Sequence, residues 1–154
     1  MTTENQSGMS QNEQVIRALY QAAEVQDAKK FASLFTDDGV FYDVSAGVKY
    51  RGSELGRVVE IYAAAFPYMH RELYDVYVFG EVVVVELSLN GTHKGPLALP
   101  AGTIPATGKE MHAPCCDVFR LRDGKVQSFN CYTAATIMLG QLGVISNLEA
   151  AFEH

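Results

Sequence analysis

The chain has 154 residues, 48% of them hydrophobic and 19% charged, a composition that supports one packed core and excludes an intrinsically disordered protein. Its 18 acidic residues outnumber 12 lysines and arginines for a net charge of −6, so the basic face that phosphate neutralisation requires is missing and no nucleic-acid partner is expected. No apolar run approaches the roughly 20 residues that cross a bilayer, and the polar start lacks a signal peptide's apolar stretch, so no membrane partner and a cytoplasmic location are expected. Three cysteines, two of them adjacent (Cys115 and Cys116) and none in a CxxC, support neither a disulfide framework nor a structural zinc site.

Residues 1–11 are rich in Ser, Thr, Asn and Gln without periodicity and read as a frayed tail, followed by a single domain over 12–154. From Glu13 to about Val25 the apolar positions Val15, Ile16, Leu19, Tyr20, Ala22 and Ala23 recur at helical spacing. Asp27 can cap a second, short helix with Phe31, Leu34 and Phe35 as its buried stripe, ended by TDDG at 36–39. Val40 to Val44 then reads as a strand with Phe41 and Asp43 on one face. Ser53 is a plausible N-cap for a third helix with Leu55, Val58, Val59, Tyr62, Ala63 and Phe66 inward, stopped by Pro67. Beyond Met69 the period changes to two: Arg71–Val78, Glu81–Leu89, Met111–Leu121 and Lys125–Thr133 read as four strands of an antiparallel meander. Ala134–Leu142 returns to helical spacing and is closed by Gly143.

Helices followed by a meander define an α+β domain whose helices pack on one face of a curved sheet, and the concave face then needs a filler, either side chains or a ligand. The last hairpin decides what faces that space, and two registers are open. A three-residue loop (Arg122, Asp123, Gly124) sets Asp117 opposite Phe129 among apolar neighbours, whereas a two-residue loop sets it opposite Asn130 on a more polar face. Asp43 is either a pocket acid or a strand-end residue capping a loop. Asp117 is either a pocket acid or a sheet residue paired with Arg71 or Arg120. Tyr20 is read as a core aromatic whose hydroxyl wants a partner, and His93 as a surface residue beside a turn with a second reading as an acid/base at the pocket mouth.

The order helix, helix, LFTDDGVFYDVSAGVKYRG, helix and meander resembles the nuclear transport factor 2-like superfamily over roughly residues 13–145. That resemblance implies a cone-shaped α+β barrel, with a curved, mostly antiparallel sheet and three N-terminal helices enclosing a pocket. GTHKGPLALPAGTIPATGKEM, DVFRLRDGKV and LGQLGV are similar to the SnoaL-like polyketide cyclases. Their acid/base is an aspartate nine residues before the glycine of QLG, where this chain carries Ala134, and a methyl group cannot shuttle a proton. FTDDGVFYDVSAG also resembles the segment of ketosteroid isomerases that carries the proton-shuttling aspartate, which places Asp43 as base. DVFR resembles their late-strand D-x-F-R, which places Asp117 as a protonated donor to the oxyanion, with a tyrosine partner near Tyr20. The Asp-Arg-Asp trio of the limonene epoxide hydrolases of the same superfamily has no Arg-x-Asp counterpart on a suitable strand.

The resemblance implies a cofactor-independent enzyme, with no metal, that moves a proton on a hydrophobic cyclic carbonyl compound. The alternative is a non-catalytic protein that binds a small hydrophobic molecule in the same pocket. A homodimer is expected under either reading, because a large apolar sheet surface is normally covered by a second subunit.

Overall fold

Among the described residues, 9–145 and 151–152 of a computed structural model, four α-helices and eight strands follow one another. Helix α1 (Gln11–Glu24) begins two residues before the apolar pattern does, because the Ser10 hydroxyl accepts from the Glu13 N–H at 3.0 Å. Ser10 and Gln11 thus belong to the domain; the rest of the expected tail, apart from Met9, lies outside the described residues, as do the last residues of the expected domain. Helix α2 (Ala28–Ser33) is capped as expected, the Asp27 carboxylate accepting from the Lys30 N–H at 3.0 Å.

The expectation that TDDG ends a helix is corrected. That segment runs inside strand β1 (Phe35–Asp43), which pairs in parallel with β8 (Lys125–Thr133). Gly39 allows this: a Cβ there would stand 2.9 Å from the Val126 carbonyl oxygen, so cross-strand pairing overrides a local turn preference. Strand β2 (Val48–Arg51) folds back on β1. Ser53 does not cap the third helix; it lies in a 3-10 turn (Gly52–Glu54), and α3 (Arg57–Ala65) starts after Gly56, whose backbone touches Ala28. Its expected inward residues Leu55, Val58, Val59 and Phe66 are buried.

Strands β3 (His70–Phe79), β4 (Val82–Thr92), β7 (Glu110–Arg122) and β8 form the expected meander, and the sheet order is β2-β1-β8-β7-β4-β3. All neighbours are antiparallel except β1 and β8. The sheet is curved but open, with β2 and β3 as its edges, so the fold is an α+β cone rather than a closed barrel. A small hairpin of β5 (Leu97–Leu99) and β6 (Gly102–Ile104), which periodicity did not reveal, stands apart from it. Helix α4 (Ala135–Gln141) closes at Gly143, whose φ of 74° is the left-handed conformation that a helix end favours.

Neither expected register of the last hairpin holds. The loop is the two residues Asp123 and Gly124, at φ 52° and 77°, so Arg122 opposes Lys125, but a bulge between Arg120 and Leu121 then shifts the ladder by one. Asp117 therefore opposes Cys131 and Cys115 opposes Thr133. Residues Met111, Ala113, Cys115, Asp117, Phe119 and Leu121 alternate inward along β7 without a break. Phe119 and Phe129 meet at 4.2 Å, and Phe129 meets Phe41 at 4.4 Å, which ties β7, β8 and β1 together on the concave face. No helix of the described residues is long and apolar enough to cross a membrane.

Helix α3 is held to the end of β4 through Ala65, whose carbonyl accepts from the Lys94 and Gly95 N–H groups at 3.0 and 3.2 Å. A Cβ at Gly95 would lie 2.0 Å from the Ala64 carbonyl oxygen, a contact that only backbone movement relieves. Gly95→Ala is expected to cost about 3 kcal/mol of unfolding free energy, at the upper end of ordinary overpacking. Denaturant titration checks this, and an unchanged midpoint would contradict so close a contact.

Candidate functional site

Three neighbouring strands place Asp43, Cys131 and Asp117 in one row across the concave face, because Asp43 pairs with Cys131 and Cys131 with Asp117. With strands about 4.8 Å apart, the two aspartates stand about 10 Å apart, Cα to Cα. Both are almost fully buried. An inner cavity of about 50 Å³ lies over the row, lined by Leu19, Phe31, Phe41, Leu87, Phe129, Tyr20, Asp117 and Arg71 among others. An outer cavity of about 230 Å³ shares the walls Tyr62 and Thr133 with it and carries Asp43, Ala135 and Met138. The β5–β6 hairpin supplies Leu99, Pro100 and Ala101 to that outer wall. Together the two approach the roughly 300 Å³ at which small-molecule sites begin.

A tyrosine from a helix reaches each acid. The Tyr20 hydroxyl, on α1, donates to Asp117 Oδ2 at 2.7 Å, and the Tyr62 hydroxyl, on α3, donates to Asp43 Oδ2 at 2.9 Å. Tyr20 is held by an edge contact with Phe119 at 5.8 Å. The Cys115 thiol donates to Asp117 Oδ1 at 3.3 Å, and the Ala46 N–H reaches Asp43 Oδ1 at 3.3 Å. Burial pushes the Asp117 carboxyl up to about 6, against the opposing pull of the Tyr20, Cys131 and Cys115 hydrogen bonds and the Arg71 charge. Asp43 is raised by burial in the same way, with Tyr62 and the Ala46 N–H opposing. Burial beside these acids lifts both tyrosines well above their ordinary value, so they remain donors. Asp117 is thus an acid that titrates close to neutrality, where proton transfer is most efficient.

Of the residues singled out from sequence, Asp43, Asp117 and Tyr20 come together and His93 does not. The His93 ring is fully buried against Phe66, and its Nδ1 accepts from the Thr107 N–H at 3.2 Å. Burial depresses its basicity. It is therefore neither on the surface nor at the pocket mouth; it pins the loop before β7 to the end of β4. Sequence reasoning placed Tyr62 only in the core and Arg71 only as an ion-pair partner. The signal for Tyr62 was a tyrosine on the inward stripe of a helix, whose buried hydroxyl needs an acceptor. Cys115 and Cys131 bring their sulfurs to 3.7 Å of each other; they are free thiols, and Cys131 is held protonated by its bond to Cys115 and by burial.

A curved α+β sheet with an apolar cavity and two buried acids defines a class of small proteins with pockets on one concave face. The model of the SnoaL-like domain matches residues 16–129, and the chain belongs to that family. No curated protein matches it by sequence. Solved structures share its fold at low identity. A hypothetical protein with a ketosteroid isomerase-like fold from Catenulispora acidiphila, in complex with trimethylamine, is 20% identical with a TM-score of 0.72, covering 91% of this chain and 97% of its own. A proposed SnoaL-like polyketide cyclase from Jannaschia sp. CCS1 is 20% identical with a TM-score of 0.76, over 88% and 93%. An LEH-like epoxide hydrolase from M. tuberculosis is 16% identical with a TM-score of 0.65, over 92% and 97%.

The raised pKa of Asp117 makes stability depend on pH. Its folded value, about 6, exceeds the unfolded 3.8, so the folded state holds the proton more tightly. The resulting stabilisation is complete below the unfolded value and is lost as pH rises through 6. A difference of that size between the folded and unfolded chain corresponds to roughly 3 kcal/mol. Asp117→Asn, which cannot ionise, is expected to flatten the decline of unfolding free energy between pH 4 and 6.5. Denaturation curves across that range test it, and parallel profiles would overturn the assignment.

Proposed function

We propose that this protein is a cofactor-independent enzyme that transfers a proton on a hydrophobic cyclic carbonyl compound, as an isomerase, cyclase or dehydratase does. The observation that carries the reading is the pair of buried aspartates in one row, each with a tyrosine, beside two adjoining, largely apolar cavities. An enolisable substrate needs a base beside the carbon acid and a donor where oxygen becomes negative, and the second contribution is usually the larger. Asp43, bordering the outer cavity, takes the α-proton. Asp117, one strand beyond Cys131, supplies the donor when protonated, with the Tyr20 hydroxyl on its second oxygen. Displacing cavity water with an apolar ring deepens the desolvation of Asp117 and favours that protonated form. About 10 Å between the two Cα atoms leaves room between the side chains for a carbonyl group and its neighbouring carbon.

A second reading, a non-catalytic protein for a small hydrophobic ligand, is favoured by one observation. Ala134 occupies the N-cap of α4, where the resemblance to the cyclases calls for an acid. Solvent deuterium exchange at the α-carbons of a panel of cyclic ketones and enones separates the two. The enzyme reading expects exchange that falls at least 100-fold in Asp43→Asn while the melting transition is kept. Tight binding with no exchange would favour the binding protein, and undiminished exchange in the variant would remove Asp43 as the base.

The homodimer belongs to this proposal. The outward face of the sheet carries Tyr77, Val84 and Val118 in one row, with exposed Tyr74, Phe79 and Tyr132 nearby, a patch that a second subunit would cover. Light scattering is expected to give twice the 16.9 kDa chain mass, reduced to the monomer value by Tyr77→Arg combined with Phe79→Asp. A monomeric wild type would remove the dimer from the proposal.

A further inference from the structure

Arg71 is a cation in the wall of the inner cavity with hydrogen-bonding capacity left over. It stands on β3, two strands from β7, in register with Leu89 and, through it, Ala113, and its side chain lines the cavity alongside Asp117 and Tyr20. Its Nη1 is buried with no hydrogen-bond partner. The nearest acid is Glu24, whose Oε1 lies 3.7 Å from Nη1, beyond hydrogen-bond reach. Both Glu24 oxygens are already engaged, Oε1 by the Arg71 backbone N–H at 3.1 Å and Oε2 by His70 Nδ1 at 2.5 Å. The Asp117 oxygens are likewise taken by Tyr20 and Cys115, and among the described residues Asp117 forms no ion pair with Arg71. A guanidinium stays protonated even when buried, so one whose Nη1 has no hydrogen-bond acceptor and only a 3.7 Å ion pair with Glu24 is incompletely satisfied unless something enters to accept from it.

We propose that the cavity takes a ligand bearing a carboxylate, which the Arg71 guanidinium holds while the ligand's carbonyl lies toward Asp117 and Tyr20. The proposal rests on the reading of this cavity as the ligand site. The planar guanidinium fork fits a carboxylate with two parallel hydrogen bonds. An inner cavity of about 50 Å³ accepts a planar group of three heavy atoms, and its single cation is too little for a phosphate. The remaining wall, formed by Leu19, Phe31, Phe41, Leu87 and Phe129, suits the near edge of an apolar ring, whose bulk lies toward the adjoining outer cavity of about 230 Å³. The charge of Arg71 favours the ionised form of Asp117. A carboxylate that cancels that charge leaves Asp117 protonated, as donation to a carbonyl oxygen requires.

The probe ligands are 3-oxocyclohexanecarboxylate and its neutral methyl ester, compared by isothermal titration calorimetry on wild type, Arg71→Lys and Arg71→Gln, each checked for an unchanged melting transition. The expected result is at least tenfold tighter binding of the acid by wild type, a preference reduced in Arg71→Lys and abolished in Arg71→Gln. Glu24→Gln, which removes the nearest competing charge and leaves Arg71 in place, is expected to tighten acid binding at least twofold. Equal binding of acid and ester by wild type, binding of neither, or a preference that survives Arg71→Gln would each overturn the proposal. Its fate is separate from that of the enzyme reading. Asp43-dependent exchange of neutral ketones without a preference for the acid removes the carboxylate site alone, whereas acid preference without exchange removes catalysis alone.

Discussion

Two carboxylates are withdrawn from water on the concave face of the sheet, and among the described residues neither has a cation within ion-pair distance. Burial of an ionised acid without a paired counter-charge is costly, and the fold offsets that cost chiefly with hydrogen bonds, the more distant charge of Arg71 adding to them at Asp117. Tyr20 from α1 and Tyr62 from α3 each lend a hydroxyl, and the Cys115 thiol and the Ala46 N–H complete the remaining oxygens. The helices therefore do more than cover apolar surface. Their placement over β7 and β1 sets how strongly each acid is stabilised and hence where it titrates. A small shift of α1 that lengthened the Tyr20 contact would leave the desolvation of Asp117, already the larger effect, less opposed and raise its pKa further.

The row that holds the acids depends on two irregular features. The parallel pairing of β1 with β8 brings Asp43 beside Cys131, and the bulge between Arg120 and Leu121 brings Asp117 to the other side of the same cysteine. Without the bulge, the two-residue Asp123–Gly124 turn would carry Asp117 to a position opposite Asn130. A β-bulge beside a functional site re-aims a side chain in this way, at the expense of one unpaired ladder position. Gly39 contributes from the other strand by letting the β1 backbone pass close to Val126.

Membership of the SnoaL-like domain family fixes the architecture and leaves the chemistry open, since one fold carries many sites. Ala134 at the N-cap of the last helix offers no acid, while two acids border the cavities, from β1 and β7. Relatives of known structure at 16–20% identity share the sheet and its curvature, but so low an identity does not transmit the lining. In this chain the cavity walls carry two aspartate–tyrosine pairs and Arg71 among largely apolar residues.

The amino-acid sequence determined most of the elements, though not the β5–β6 hairpin or the run of β1 through TDDG, and the alternation that puts residues of one strand on a common face. Met111, Ala113, Cys115, Asp117, Phe119 and Leu121 point inward because β7 alternates, whatever the loop that follows it, and Phe41 with Asp43 follows the same rule on β1. Tyr20 was visible as an inward residue of an amphipathic helix. The tertiary structure decided what those side chains meet. The bulge, the parallel β1–β8 pairing, the absorption of TDDG into a strand, the partner of Tyr62 and the burial of His93 all depend on contacts between segments far apart in the chain. A local pattern records which side of an element is apolar, and it holds no record of which other element comes to lie against that side.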